Sequence, residues 1–275
     1  MTISVLMSVY NAEKPERLDR AIRSVWDDQT LKPSQIILIK DGPLSIALDE
    51  VINSWQEKLG NTLCVIINDS NLGLTKSLNK GLKVVECEYV ARMDSDDIAH
   101  PDRFKCQVEF LNYHPEIDVV GGTIQEFNDN NPNIGKRYYP TNPDEIKKYI
   151  VRASPLAHPT VMMRNSLFLN GFKYDENYIT SQDLALWFDL LAHGHQISNL
   201  KDVTLYFRLE DNTFARRSRK KALGEMKIYF RGIKSLYGIF SLNYIYPLMR
   251  FVFRMLPQKV VKLLYNSSIR KSVLN

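Results

Sequence analysis

The sequence predicts an α/β protein: a mostly parallel sheet flanked by helices, followed by a basic helical extension. Three observations predict it. Four short β-rich apolar runs alternate with segments of helical period within the first 100 residues, the order that builds a parallel sheet through crossover connections. The first run, Ile3 to Val9, is nearly continuously apolar, as a strand buried on both faces must be. Charge is also divided unevenly along the chain. Residues 215–275 hold fourteen Lys and Arg against one acid, Glu225, whereas residues 1–214 hold 22 basic and 30 acidic residues. The chain therefore divides into an acidic α/β body over 1–214 and a basic amphipathic helical tail over 215–275.

At 275 residues the chain is long enough to bury a full core. After the first strand, Pro15 opens a helix in which Leu18, Ala21, Ile22 and Val25 recur at helical spacing. Residues 35–39 form the second strand, ending in Lys40-Asp41-Gly42-Pro43, and residues 46–59 follow with a helical pattern. Residues 63–67 form the third strand, Asn68 to Gly73 the turn, and Leu74, Leu78 and Leu82 the face of another helix. Residues 88–91 are the fourth strand. Next come a helix over 101–113, strands over 117–121 and 123–127, a polar loop over 129–133, and a helix over 143–151 capped by Asn142 or Thr141. His158 stands just before a short apolar strand. A further helix opens at Ser181, turns Leu184, Trp187, Phe188 and Leu191 inward, and ends at Gly194. His193 and His195 flank that glycine as cap residues rather than as a metal pair. Residues 203–207 close the body with a strand.

Three cysteines, Cys64, Cys87 and Cys106, lie far apart without a CxxC pair, which excludes a disulfide framework or zinc cluster and fits a reducing, cytosolic setting. The N-terminus has no basic region before its short apolar run, so it is not expected to be a signal peptide. No GxGxxG follows the first strand and no GxxxxGK[ST] occurs, so a bound nucleotide would have its charge met by metal.

The stretch Arg92-Met93-Asp94-Ser95-Asp96-Asp97 crowds three carboxylates into four positions after a strand. Such crowding is costly unless a cation or donor groups answer it. Mg²⁺ and Mn²⁺ take oxygen ligands of this kind. The other reading is a solvated acidic turn before the helix at Pro101-Asp102-Arg103. Ligands of open α/β sheets sit beyond the carboxyl ends of the strands, so Tyr10-Asn11, Asp41-Gly42, Asn71-Leu72-Gly73 and the acidic stretch are expected to converge on one edge. Asp183 falls in the first turn of its helix, where the dipole favours a carboxylate, so its position alone reads as ordinary helix-end charge.

In the tail, residues 236–256 are largely apolar but contain Pro247, Arg250 and Arg254, which makes a spanning helix a poor reading. Phe251, Val252, Met255, Leu256, Val260, Val261, Leu263 and Leu264 fall on one face and Arg254, Lys259 and Lys262 on another. That is the pattern of a helix lying in an anionic membrane surface. The alternative is a helical subdomain packed on the acidic body. No nucleic-acid motif accompanies the basic residues, and no nucleic-acid partner is expected.

The chain resembles bacterial family 2 glycosyltransferases. The resemblance rests on seven pieces in the family's order over roughly residues 1–210. They are Ser8-Val9-Tyr10-Asn11, Lys40-Asp41-Gly42, Asn71-Leu72-Gly73-Leu74 with Leu78-Asn79, Arg92 to Asp97 with Pro101-Asp102-Arg103, His158-Pro159-Thr160, Gln182 to Trp187, and Tyr206-Phe207-Arg208. It implies the GT-A fold, a Rossmann-like sheet flanked by helices, and a donor that is usually a uridine diphosphate sugar, transferred with inversion. It implies that Tyr10 and Asn11 line the base and ribose pocket, that Asp41 accepts from the base, and that Asp94 meets the ribose or sugar. Val9, Glu13, Lys76 and Ser95 complete the implied nucleotide-sugar set. Asp96 would hold Mn²⁺ or Mg²⁺ on the diphosphate, with Asp97 as alternative ligand, and Asp183 would be the catalytic base. His158, Gln182 and Arg208 are candidate acceptor or diphosphate contacts, the alternative for His158 being a structural histidine hydrogen-bonded to backbone. The sequence departs from the family at Lys40, where a second Asp is frequent, at Pro43, where Ser is frequent, and at Gln182, where Glu is usual.

The chemistry needs these residue types. Inversion takes one displacement, in which a positioned carboxylate removes the proton of the acceptor hydroxyl. A second carboxylate placed as nucleophile would give retention. The implied acceptor is a glycan or lipid-linked oligosaccharide in surface polysaccharide, capsule or lipopolysaccharide assembly, at the cytoplasmic face of the membrane. The rivals are a sugar nucleotidyltransferase and a catalytically silent sugar-nucleotide-binding scaffold.

Overall fold

The computed structural model describes residues 1–209 and 219–255. The elements, in chain order, are β1 (Ile3–Val9), α1 (Pro15–Val25), β2 (Gln35–Asp41), α2 (Ile46–Leu59), β3 (Leu63–Asn68), α3 (Leu74–Leu82) and β4 (Tyr89–Asp94). Then follow β5 (Ile98–Ala99), α4 (Arg103–Tyr113), β6 (Ile117–Phe127), β7 (Gly135–Arg137), α5 (Pro143–Tyr149), β8 (Met162–Arg164), α6 (Ser166–Leu169), α7 (Gln182–Ala192) and β9 (Gln196–Arg208). α8 (Arg219–Tyr237) and α9 (Ile245–Met255) belong to the basic tail.

The strands form one sheet in the order β3-β2-β1-β4-β8-β6-β9-β5, with β7 on β6. β3, β2, β1 and β4 pair in parallel, the arrangement expected from the alternating first 100 residues. β8 enters antiparallel between β4 and β6, which restores β6 and β9 to the direction of the first four strands. The sheet is therefore mixed, with β5, β7 and β8 opposed to the rest. Helices flank it on both faces. One apolar cluster joins the sheet to α1, α2 and α4 through Leu18, Ile22, Ile52, Trp55, Phe104 and Leu111. A second, on the other face, gathers Leu6, Ile37 and Val90 with Leu78 of α3 and Trp187, Phe188 and Leu190 of α7. This two-sided burial is the reason the middle of β2, Ile36 to Ile39, is continuously apolar and β1 has only two small serines among its apolar residues.

Several boundaries differ from the sequence expectation. The strands expected over 117–121 and 123–127 are one strand, β6, because Gly121 and Gly122 continue it instead of ending it. A Cβ at Gly121 would lie 2.3 Å from Asn199 Oδ1, and one at Gly122 would lie 2.4 Å from Thr204 Cγ2, so the glycines admit β9 side chains across the pair. β9 itself begins at Gln196 rather than 203. The short elements β5, β7 and α6 were not expected. Asn142, not Thr141, caps α5: its Oδ1 accepts from the amides of Asp144 at 2.9 Å and Glu145 at 3.4 Å. The helix after Ser181 ends as expected, with Gly194 at φ 87° and the His193 and His195 amides donating to Leu190 O.

Within the basic part, α8 packs on α7. Ile228, Tyr229 and Ile233 join the cluster of Trp187 and Phe188. The close approach depends on Gly232, where a Cβ would fall 2.1 Å from the Phe188 ring. Of the helix face expected in the tail, Leu256, Lys259, Val260, Val261, Lys262, Leu263 and Leu264 lie outside the described residues, as do the side chains of Arg254 and Met255. No described helix is long and apolar enough to cross a membrane.

A Gly232→Ala substitution should cost about 1–3 kcal/mol, because the added methyl meets a ring held in a close-packed core. Gly224→Ala, in the same helix but facing open space, should be neutral or stabilising by up to about 1 kcal/mol. Thermal melts of the two variants test the α7–α8 contact; equal Tm values would refute it.

Candidate functional site

The register of the first four strands sets the site. Ser8 lies opposite Asp94, Val9 opposite Lys40, and Asp41 opposite Asn68, so the carboxyl ends of β1 to β4 come out level. Beyond them opens a cleft of about 490 Å³. Tyr10, Glu13, Asp41, Asn71, Gly73, Asp94, Ser95 and Asp96 line it from the strand ends, and Phe207, Arg208 and Leu209 line it from the end of β9. The polar clusters thus meet on one edge.

Each wall of the cleft has a local cause. Asp41 is buried, with one carboxylate oxygen accepting from the Leu72 amide at 2.8 Å and Asn68 Nδ2 at 3.0 Å, and the other from the Gly73 amide at 3.0 Å. It folds the 71–73 turn over the end of β2. A carboxylate has about four acceptor positions, so one is left for a ligand. Lys40, pointing the other way along the strand, pairs with Asp49 of α2 at 2.5 Å and takes no part in the cleft. Glu13 accepts from Ser95 Oγ at 2.8 Å, which ties the loop after β1 to the acidic stretch. Tyr10 is half exposed beside it, Asn11 is exposed, and Val9 is buried in β1. Lys76 is exposed on α3 and is not among the residues lining this cleft.

Asp94, Asp96 and Asp97 each offer a carboxylate oxygen, all within 4.8 Å of one another. Asp97 is buried; its Oδ1 accepts from the Arg208 amide at 2.8 Å, while its Oδ2 has no hydrogen-bond partner. Arg208 Nε donates to the Asp96 carbonyl at 2.9 Å, and its guanidinium lies over the Phe127 ring and pairs with Asp129. Burial raises the Asp96 carboxyl to about 6, helped by the charges of Asp94 and Glu13. Asp97 is pushed well above the usual carboxylate range by burial and then by Asp94 and Asp96. Three oxygen donors in a crowded set, one of them buried and unpartnered, fit a hard divalent cation better than a solvated turn.

Beneath the triad sits Arg92, buried to 2% exposure and paired with Asp94. Its Nε and Nη1 have no hydrogen-bond partner. Its charge acts on the triad and also reaches a second group that contains His158, Tyr174 and Asp183. His158 Nε2 bonds the Tyr174 hydroxyl at 2.8 Å, and its ring meets Tyr174 and Trp187 edge-on. Burial, with Arg92 nearby, holds His158 well below the ordinary histidine range and so neutral. Asp183 is half-buried in the first turn of α7, behind the buried Gln182. Burial raises its carboxyl, while the Leu184 amide and Arg92 pull it back. The turn that delivers it is unusual: Ser181 is the one described residue other than glycine with positive φ, at 60°, and its side chain makes no cap hydrogen bond.

Arg92, Tyr174 and Ser181 were given no role from sequence. A signal existed for Arg92, a lone cation inside a strand otherwise buried on both faces. Tyr174 lies in an irregular segment where no periodicity points inward.

Residues 4–172, more than half of the chain, match glycosyl transferase family 2. The chain belongs to this family. It is a glycosyltransferase. The amylovoran biosynthesis glycosyltransferase AmsE of Erwinia amylovora is 33% identical over 263 residues, covering 95% of this chain and 97% of that protein. The UDP-Gal:alpha-D-GlcNAc-diphosphoundecaprenol beta-1,3-galactosyltransferase of Escherichia coli is 29% identical over 269 residues, covering 98% and 96%. Among solved structures, the mannosyltransferase PcManGT of Pyrobaculum calidifontis, in complex with GDP-Man and Mn²⁺, superposes with a TM-score of 0.63 at 12% identity, covering 99% of this chain and 77% of that one. That likeness shows the GT-A fold expected from the motifs. In this glycosyltransferase the strand-end cleft therefore occupies the edge at which open α/β sheets take their ligands.

A carboxyl with a higher pKa in the folded than in the unfolded state binds more protons when folded, so stability falls as pH rises through the window between the two values. For Asp96 that window runs from 3.8 to about 6, and Asp97 extends it upward. Without divalent cation, the Tm contribution of the triad should decline from pH 4 to above pH 6. Mn²⁺ at pH 7.5 should raise the Tm of the native chain and leave that of Asp96→Asn nearly unmoved. A native chain whose Tm ignores Mn²⁺ would show that the triad takes no cation.

Proposed function

We propose that this glycosyltransferase is an inverting enzyme that moves one sugar from a UDP-sugar to a glycan or lipid-linked oligosaccharide during surface polysaccharide synthesis. The observation that carries the reading is the acidic triad at the level ends of the parallel strands, lining a cleft and backed by the buried cation Arg92, whose charge also reaches the half-buried Asp183. One side of the arrangement suits a charged leaving group. The other suits proton removal from an incoming hydroxyl.

In this reading Asp41 uses its remaining acceptor position for the N–H of the base, with Tyr10 and Asn11 beside base and ribose. Asp94 and Ser95 meet ribose or sugar. Asp96, with Asp97 as alternative, would hold Mn²⁺ or Mg²⁺, which supplies charge stabilisation for the departing diphosphate when bound. Arg208, fixed by Asp97 and Asp129, adds a cation on the same side. Asp183 accepts the proton of the acceptor hydroxyl; its raised pKa makes it the stronger base of the exposed carboxylates it resembles. A single carboxylate in that role gives one displacement and hence inversion.

The names of the relatives support the coarse chemistry. The E. coli relative is named for UDP-Gal and a diphosphoundecaprenol acceptor, and the Erwinia relative for amylovoran biosynthesis. PcManGT, solved with Mn²⁺, supports a divalent cation. We place the chain at the cytoplasmic face of the membrane as a peripheral protein, a reading supported by its basic tail and a lipid-linked acceptor.

Asp183→Asn should retain donor binding and lose about 10²–10⁴-fold in transfer. Binding and turnover across a panel of nucleotide sugars, with and without Mn²⁺, check this, with Asp96→Ala as the donor-binding control. Full transfer by Asp183→Asn would remove Asp183 as the base. Failure of every nucleotide sugar to bind would favour a silent scaffold.

A further inference from the structure

A helix on the surface of a globular protein ordinarily buries its apolar stripe and shows solvent its charges. Among the described residues, α9 does the reverse. Its polar positions hold it to the body: Arg250 pairs with the buried Glu225 of α8 at 3.0 Å, and the Tyr246 hydroxyl accepts from Arg152 at 3.1 Å with the guanidinium over its ring. Its apolar positions Ile245, Leu248, Met249 and Val252 recur at i, i+3, i+4 and i+7 and are 47–60% exposed. The turn between α8 and α9 continues that surface. Phe240 is 94% and Leu242 91% exposed, with Ile239 beside them. An apolar surface of this extent is not left bare in a soluble protein.

The adjoining face of α8 reads Leu223, Lys227, Phe230 and Lys234, again at helical spacing and all exposed. Phe230 touches Tyr244 at 5.0 Å between ring centroids, which joins the two helices into one surface. The single acid over 219–255, Glu225, is turned inward, so α8 and α9 themselves add lysines and no exposed carboxylate to this surface; the body's Asp175 pairs with Arg231 on the neighbouring face of α8.

We propose that the α8–α9 turn and the outer face of α9 are a docking surface for an anionic lipid bilayer, with Phe240 and Leu242 inserted and Lys227 and Lys234 at headgroup level. This deepens the peripheral-membrane reading above and rests on it. Charge decides the occupant. A second copy of the chain would bring the same lysines face to face, whereas acidic headgroups complement them while acyl chains take the apolar groups. The surface also begins earlier in the chain than residues 251–264, where the sequence pattern alone placed it.

The test is flotation of the full chain with vesicles of phosphatidylcholine alone or with added phosphatidylglycerol. Native chain, Phe240→Glu with Leu242→Glu, and Lys227→Glu with Lys234→Glu are compared. All four positions are exposed, so each double variant should keep its Tm and its donor turnover in detergent-free solution. The expected result is binding to the anionic vesicles that falls at least about tenfold in the first variant and loses its dependence on anionic lipid in the second. Native chain that floats with neither vesicle would overturn membrane docking altogether. Vesicle binding unaffected by Phe240→Glu with Leu242→Glu would overturn this surface while leaving the peripheral reading intact. A native dimer that the same variant converts to monomer, or a variant with unchanged floating and increased protease access to residues 256–275, would assign the surface to another copy or to the chain's own end and overturn the proposal.

Discussion

Three carboxylates at the end of one strand are an electrostatic burden that water alone would carry poorly in so enclosed a place. The protein answers it from beneath. Arg92 pairs with Asp94, and Arg103, buried at the start of α4, donates through Nη2 to the Arg92 carbonyl at 2.7 Å and through Nε to Gln107 at 3.1 Å. Two guanidinium groups so close oppose one another, and burial together with Arg92 lowers Arg103 to about 9. The pair is tolerable because the acids lie directly above. Much of the local structure follows: where β4 stops, where α4 begins, and why Arg208 at the end of β9 closes back onto Asp97 and the Asp96 carbonyl.

Arg92 also explains how two parts of the site far apart in sequence are held in one electrostatic unit. Asp94 and Asp183 are separated by nearly a third of the chain, yet the guanidinium that pairs with Asp94 also favours the ionised form of Asp183. Loss of that cation would disturb the triad and the raised carboxyl of α7 together, and His158, held neutral by burial and by Arg92, adds no second positive charge between Tyr174 and Trp187.

How much of this was legible follows from what each signal depends on. Strands β1 to β4 and helices α1 to α4 could be read because sheet burial on both faces forces continuous apolar runs and helices force a period of 3.6. The convergence of their ends was legible too, since it follows from parallel pairing. β5, β7 and α6 carry too few residues for any period, and exist only because β9, β6 and β8 offer partners. The extent of β9 was hidden by Lys201 and Asp202, which sit where its register against β6 slips. Asp183 could be placed on its helix, but not within reach of the charge of Arg92, because tertiary packing with no local pattern sets that relation. The inverted orientation of α9 was hidden for the same reason: sequence gives two faces and does not say which one meets the body.

The left-handed backbone at Ser181 has a consequence for how this protein can change. A residue with a Cβ held in that conformation costs on the order of 1–2 kcal/mol relative to the right-handed one, and glycine does not share the cost. Glycine there would relieve the backbone and at the same time loosen the turn that aims Asp183. If Asp183 is the base proposed above, position 181 is a point of trade-off, where selection for robustness and selection for turnover favour different side chains.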